Sequence, residues 1–471
     1  MYLINIKKSE QSLFLSTFSI LTLTICIHKI LKVLKDTLVV TDPNIGIQLI
    51  PFLKIWAFIP ISVIVIKCVY ICKNKYSYKT TYGIALTFFM LFLNGYVFLI
   101  RPIETSFLGD AHFLNHLVPS YLKGFYLMLH YWPLSLFYVI CDLWSIIMFS
   151  MLFWIYIDEI VSFEQGKRFF PLFSIDIGGI ILGPIVILAA YFSGGSWERQ
   201  LELLMAVVFI LGLMLWCVFH KLSQKHKISC HKTPKSSKNT TSFNLIKRNG
   251  SSFVFHLALM VFIYEFTDSI FDLLWKGILV EYAPNPETFS KYLASIPSVS
   301  SVIATIIALF FSTTLLRKLS WFHIAVIAPI LFGTLSLCFF LSYFFPFLAG
   351  WISTPLGIST LSVTISIGAI QTCLMSVAKV TVFDNSKDLA FQLCNNEEKK
   401  HARGFSNAFA TRFGKSTSNF TYQISSIIST NIKAAALYLS CVLFVCIPIW
   451  LLGIVRTNKQ FVLRTAKEIQ Q

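Results

Sequence analysis

Twelve stretches along its 471 residues, most of them strongly apolar, have about the twenty-residue length an α-helix needs to cross the hydrocarbon core of a bilayer. The runs fall near 12–31, 48–71, 82–101, 134–157, 170–193, 200–220, 252–275, 293–315, 322–344, 351–378, 405–429 and 434–455. In lipid every backbone N–H and C=O must find its partner within the protein, so repeated runs of this length dictate a bundle of helices. Charged residues make up 13% of the sequence and hydrophobic ones 56%, whereas soluble domains are about 25% charged. A chain this apolar cannot cover its surface with polar groups, and water is the wrong solvent for most of it. The first run follows Lys7 and Lys8 but is about twenty residues long and lacks a small-x-small cleavage site, so it is expected to be a retained helix. No Ser/Arg-rich transit peptide precedes it, which argues against import into an organelle.

The charge is basic, with 39 Lys+Arg against 22 Asp+Glu and a formal net charge of +17. Nucleic-acid binding is not the preferred explanation, because the basic residues sit mostly in short connections between the runs. That placement is the signature of cytoplasmic loops. With the N-terminus inside, the inside segments hold Lys7/Lys8, Lys73/Lys75/Lys79, Lys167/Arg168, residues 221–250, Arg317/Lys318, residues 379–404 and a tail with Arg456, Lys459, Arg464 and Lys467. The outside connections 102–130, 194–199 and 345–350 carry few basic residues. Twelve spans with both termini cytoplasmic fit this pattern. Segment 221–250 is polar, holds eight Lys/Arg and no acid, and divides the spans six and six. The expected organisation is an N-terminal half over 1–220, a basic cytoplasmic linker over 221–250 and a C-terminal half over 251–471. This layout resembles the major-facilitator architecture, whose halves rock about a midplane site. The expected fold class is an all-α membrane protein, a two-half bundle of twelve transmembrane helices. The eleven cysteines are scattered through apolar runs without a CxxC pair or a Cys/His cluster. They read as buried, reduced small hydrophobes, with no metal site and no cofactor.

Ionisable groups in a span cost several kcal/mol unless they face a cavity or a partner, so each marks a candidate function. Four clusters stand out. Lys32, Lys35 and Asp36 lie at the end of the first run, where Lys32 is expected to snorkel to the interface. Asp142 sits early in the fourth run with no basic neighbour in sequence. Glu265, Asp268, Asp272 and Lys276 follow spacings of three, four and four, which place them on one face of the seventh run. Mutual neutralisation of Asp272 and Lys276 accounts for only part of that stripe. Arg412, Lys415, Asn419 and Gln423 repeat the same spacings in the eleventh run, and Ser416, Ser418 and Thr421 widen the face. A helix this polar cannot face lipid; it lines a water-filled path or packs against protein. Cations opposed by a few acids suit an anionic substrate, and Arg and Lys are well matched to phosphate. FGKST at 413–417 is not a Walker loop, for it lacks the preceding glycine and the strand. Asn239-Thr240-Thr241 is a glycosylation sequon by pattern, but on an inside loop it is inert.

The motifs KVLKDTLVVT (32–41), IPFLKIW (50–56), DLW followed by DEI (142–160), KRFFPLF (167–173), DLLWK (272–276), FDNSKDLAF (383–391) and RFGKS (412–416) occur in this order. Across roughly 30–430 the chain resembles the nucleotide transporter family of obligate intracellular bacteria and plastids, the ATP/ADP translocases unrelated to the mitochondrial carrier. The resemblance implies a twelve-helix, major-facilitator-like antiporter exchanging nucleotides. The family's functional charged positions are a lysine in LKDT, an acid before LW, an acid three residues before WK and the lysine of GKS. They fall on Lys35, Asp142, Asp272 and Lys415. The family usually has Glu at both acidic positions, where this chain has the shorter Asp, and two glycines after GKS, where this chain has Thr417 and Ser418. A family Asp before that motif corresponds to Asn407.

The expected substrate site is therefore Lys35, Asp142, Asp272, Lys276, Arg412 and Lys415, binding ATP, ADP or a related nucleotide in a monomeric, non-enzymatic carrier. Proton-coupled import of other nucleotides or of a nucleotide cofactor is the alternative. A membrane-embedded enzyme acting on a phosphorylated lipid is a weaker one, because His28, His112, His116 and His256 form no spaced motif with acids. A nucleotide receptor that binds without flux is the remaining reading. The abundance of Phe, Ile, Lys and Asn fits an AT-rich genome, and the inner membrane of an intracellular bacterium is the expected location; microsporidian parasites share that composition.

Overall fold

The structure is a computed structural model that describes residues 10–103, 118–119, 122–162, 165, 168–169, 172–173, 175–225, 252–310, 320–393, 405–429 and 431–469. Most of the expected linker, Lys7, Lys8, Lys167, Arg317, Lys318, His112 and His116 lie outside these residues. Among the described residues every regular element is helical. Nine helices among the described residues are long and apolar enough to cross a membrane. In chain-order numbering they are α1 (Gln11–Val40), α2 (Leu49–Cys72), α3 (Tyr78–Ile103), α4 (Trp132–Ile157), α6 (Trp197–Gln224), α8 (Pro286–Ile307), α9 (Trp321–Phe344), α10 (Thr360–Phe391) and α12 (Ile432–Thr465). Between them lie α5 (Ile177–Phe192), apolar but short, and α7 (Ser252–Tyr282) and α11 (Thr411–Ile428), which carry the two polar stripes.

Local chemistry sets the boundaries. Ser77, Asp176 and Ser359 cap α3, α5 and α10 by accepting from the N–H groups of Thr80, Gly179 and Ser362. These caps move two expected starts. The fifth helix begins at Ile177, not near 170. The tenth begins at Thr360, after a separate short helix, Pro346–Leu356, that ends on Gly357 at φ 65°, a left-handed stop natural to glycine. The first helix runs on to Val40, so Lys35 and Asp36 are buried within it and do not end it. Cys68, Cys217, Cys338 and Cys441 are exposed on helix surfaces, unlike the buried Cys26, Cys141 and Cys373.

The chain forms two compact units. The first comprises Met1–Thr233 and Ala283–Val302. There α1 packs against α4, α5 and α6. Trp144 Nε1 donates to the Thr24 carbonyl at 3.0 Å, fixing α4 to α1. The opening stretch of α8 joins this unit through buried serines. Gly183 N donates to Ser298 Oγ at 2.6 Å, Ser298 Oγ donates to the Gly179 carbonyl at 2.8 Å, and Gln200 Nε2 donates to Ser290 Oγ at 3.2 Å. A side chain at Gly183 would press a Cβ to 2.8 Å from Ser298 Oγ, so the G-x-x-x-G spacing of α5 lets α8 approach closely.

The second unit comprises Pro234–Tyr282 and Ile303–Gln471. Its centre is α7, which packs against α10, α11 and α12. Tyr264 Oη donates to the Met375 carbonyl at 3.0 Å. Gly414 lets α11 lie directly on α7, for a Cβ there would stand 2.7 Å from the Phe262 carbonyl oxygen.

Candidate functional site

In the first unit the centre of charge is Lys35. Its Nζ lies 3.0 Å from Asp36 Oδ1 and 3.1 Å from Asp142 Oδ1, and 3.7 Å above the ring of Tyr138. The Lys35 side chain is 3% exposed and that of Asp142 19%. A buried ammonium survives only if it is paired and hydrogen-bonded, and two carboxylates and an aromatic face supply this. The helix of α4 positions Asp142 against α1, and a π-helical stretch, Ser145–Phe153, begins three residues later. Such stretches widen a helix and are frequent beside functional residues. Lys32 is exposed, as its interfacial reading requires. One turn earlier on α1, His28 Nδ1 is buried with no hydrogen-bond partner among the described residues. Its neighbour Lys29 pairs with Asp176, whose carboxylate also accepts from Ser301 Oγ at 2.7 Å.

In the second unit the centre is a carboxylate. Glu265, 5% exposed, receives Lys379 Nζ on Oε1 at 2.7 Å and Lys415 Nζ near Oε2 at 3.4 Å. Lys379 also lies 5.2 Å from the ring centroid of Tyr264. It opens another π-helical stretch, Lys379–Phe383, inside α10. A third, Phe405–Ala410, leads directly into Arg412 and Lys415 on α11. Further along α7, Lys276 Nζ donates to Asp272 Oδ2 at 2.6 Å, with Lys276 buried and Asp272 26% exposed. Arg412 is exposed, and the Lys415 side chain is 55% exposed. Asn419 and Gln423 are buried, and Asn419 bonds back to the Lys415 carbonyl, so the lower part of the α11 stripe packs against protein.

Of the six residues expected from sequence, the structure joins Lys35 with Asp142 and Asp272 with Lys276. Lys415 is brought to Glu265, which the sequence had placed on the stripe without a partner. Lys379 was missed. It is the first charge after a long apolar run and was assigned to an inside connection. The signal lay just beyond it, where Val380, Val382, Phe383, Ala390 and Phe391 continue the apolar pattern of one helix. Lys387 of the FDNSK motif pairs with Asp384 at 2.7 Å, and Trp321 Nε1 donates to the Ser386 carbonyl at 2.9 Å. That motif therefore secures the helix that carries Lys379. The clusters present fixed cations balanced by carboxylates, an arrangement that can exchange one set of anions for another.

Comparison with known proteins agrees with this chemistry. Residues 1–461 match the family described as TLC ATP/ADP transporter. The chain is 28% identical over 467 residues to ADP,ATP carrier protein 1 of Chlamydia trachomatis, covering 94% of this chain and 88% of the relative. It is 27% identical over 496 residues to ADP,ATP carrier protein 4 of Rickettsia prowazekii, covering 98% of this chain and 94% of the relative. Among solved structures, the D-xylose–proton symporter superposes with a TM-score of 0.60 at 13% identity, covering 95% of this chain and 97% of the symporter. At that identity the likeness shows the fold, a major-facilitator-type helical bundle.

Proposed function

The chain belongs to the TLC ATP/ADP transporter family and is a nucleotide transporter, and from that premise we propose that it exchanges ATP for ADP by alternating access. In this reading the chain has twelve spans. Besides the nine described helices that are long and apolar enough there are the shorter apolar α5, the largely buried α7 and the polar α11. We place six-helix halves at 1–220 and 251–471, joined by the basic linker 221–250, in the bacterial inner membrane with both termini cytoplasmic. Lys35, Lys276, Arg412 and Lys415 neutralise the phosphate tail, and Asp142 and Asp272 orient Lys35 and Lys276. No catalytic residue, cofactor or metal enters this reading.

One observation carries the exchange mode. Lys35 and Lys276 are both buried and each already holds a carboxylate within 3.1 Å. Lys35–Asp142 lies within the first unit and Lys276–Asp272 along α7, so movement of one half against the other leaves both pairs intact, whereas drawing either lysine off its carboxylate with no anion to replace it would leave buried charge unpaired, at a cost of several kcal/mol. A bound nucleotide supplies the missing partner, so movement of the lysines is coupled to occupancy. Proteoliposomes loaded with ADP should take up labelled ATP many-fold faster than empty ones. Uptake indifferent to internal nucleotide but driven by a proton gradient would overturn exchange. It would establish the second reading, proton-coupled import. That reading draws on Asp268, a partly buried carboxylate on the α7 stripe without an ion pair among the described residues.

A further inference from the structure

We infer that Lys379 is a further phosphate-binding residue, paired with Lys415, and that Glu265 is the positioning residue that holds both lysines ready. This rests on the nucleotide-transport reading and adds a grip outside the six residues proposed above. The geometry is that of one carboxylate shared by two ammonium groups from two different helices, at 2.7 Å and 3.4 Å. A carboxylate and a phosphate present oxygens at similar spacing and with the same sign. Two lysines that converge on Glu265 are therefore placed to converge on one phosphate. The two grips differ in firmness. Lys379 is 32% exposed, fully bonded to Oε1 and backed by the Tyr264 ring, so its direction is set. Lys415 is 55% exposed, with a longer approach to Oε2, so it is the arm that moves onto the substrate.

Glu265 cannot leave with the substrate. It is buried on α7, and the close packing at Gly414 brings a Cβ position there to 3.2 Å from the Glu265 Cβ. The carboxylate therefore competes with phosphate for the same two lysines. It makes binding weaker than two bare lysines would give, and it makes release possible. A negative charge that stays behind resets the site when the nucleotide departs.

Three measurements on the full-length protein in proteoliposomes and detergent test this. Lys379→Gln should raise the KM for ATP and ADP uptake about tenfold or more, the usual loss for a charge-assisted hydrogen bond, while Lys379→Arg recovers part of it. Glu265→Gln should move KM and maximal rate in the same direction: tighter binding, with slower turnover. A purely structural role for Glu265 would weaken both binding and rate, and that outcome overturns the positioning role. The third needs no variant. In acylation footprinting of the wild-type protein, saturating ATP or inorganic tripolyphosphate should protect Lys379 and Lys415 together. Lys379 labelling that is unchanged by ATP, in a preparation that transports ATP, overturns the inference. A preparation that transports no nucleotide overturns the underlying reading instead.

Discussion

The first unit surrounds one lysine with two carboxylates, and the second surrounds one carboxylate with two lysines. Lys35 is clamped by Asp36 and Asp142 and is 3% exposed; Glu265 is flanked by Lys379 and Lys415, the latter 55% exposed. The inversion teaches what each cluster is for. A cation enclosed by two anions is already satisfied, and its removal strands like charges against each other. A buried anion flanked by two cations leaves net positive charge. In the function proposed above, the first cluster is a structural pivot that also answers the substrate, and the second is the receptor for its phosphates.

The comparison breaks most visibly at Lys35. Lys35→Ala removes the cation shared by two carboxylates, and breaking a buried pair in this way costs on the order of 3–5 kcal/mol. The variant should lose both uptake and thermal stability in detergent, read by melting and by labelled-ATP uptake. A variant that melts like wild type would show that the clamp carries no structural role. The next largest effect separates the two properties. Lys415→Ala should abolish uptake while expression and melting persist, because a half-exposed pair contributes only about 0–1 kcal/mol. Normal uptake by this variant would remove Lys415 from the site. The smallest effect is expected at Asp272→Glu. A Glu at i keeps its pairing with Lys276 at i+4 on the same helix face, so the ATP KM should stay within about threefold of wild type. A larger change would show that the shorter acid of this chain sets substrate fit.

The helices were legible because apolar length is a coarse, robust signal, and each expected run has a helix on it. Their ends were less so. The first run looks finished at Lys32 because charge ordinarily marks the water interface. Here Lys35 pairs with Asp36 beside it and with Asp142 of α4, so the chain stays buried to Val40. The same rule misplaced Lys379, which reads as a loop residue until its partner Glu265, more than a hundred positions away, is known. Spacing placed Glu265, Asp268, Asp272 and Lys276 on one face, since that depends only on helical period. It did not reveal which cation each acid meets, for that is a property of tertiary packing. Gly414 shows the same limit. Its place in the GKS motif was readable, but its reason, the Phe262 carbonyl beneath it, belongs to another helix.

The opening stretch of α8 has a consequence for how the molecule is made. Ser290, Ser298 and Ser301 satisfy Gln200, the Gly179 and Gly183 backbone and Asp176, all of which precede them by ninety or more residues. A ribosome that has delivered α1 to α6 has not yet synthesised the serines that these groups require. The first unit thus waits in the membrane, with the glycine face of α5 unmatched, until synthesis has passed through α7. Its assembly is tied to the arrival of later chain, and a fragment ending before residue 283 lacks a piece of its own interior.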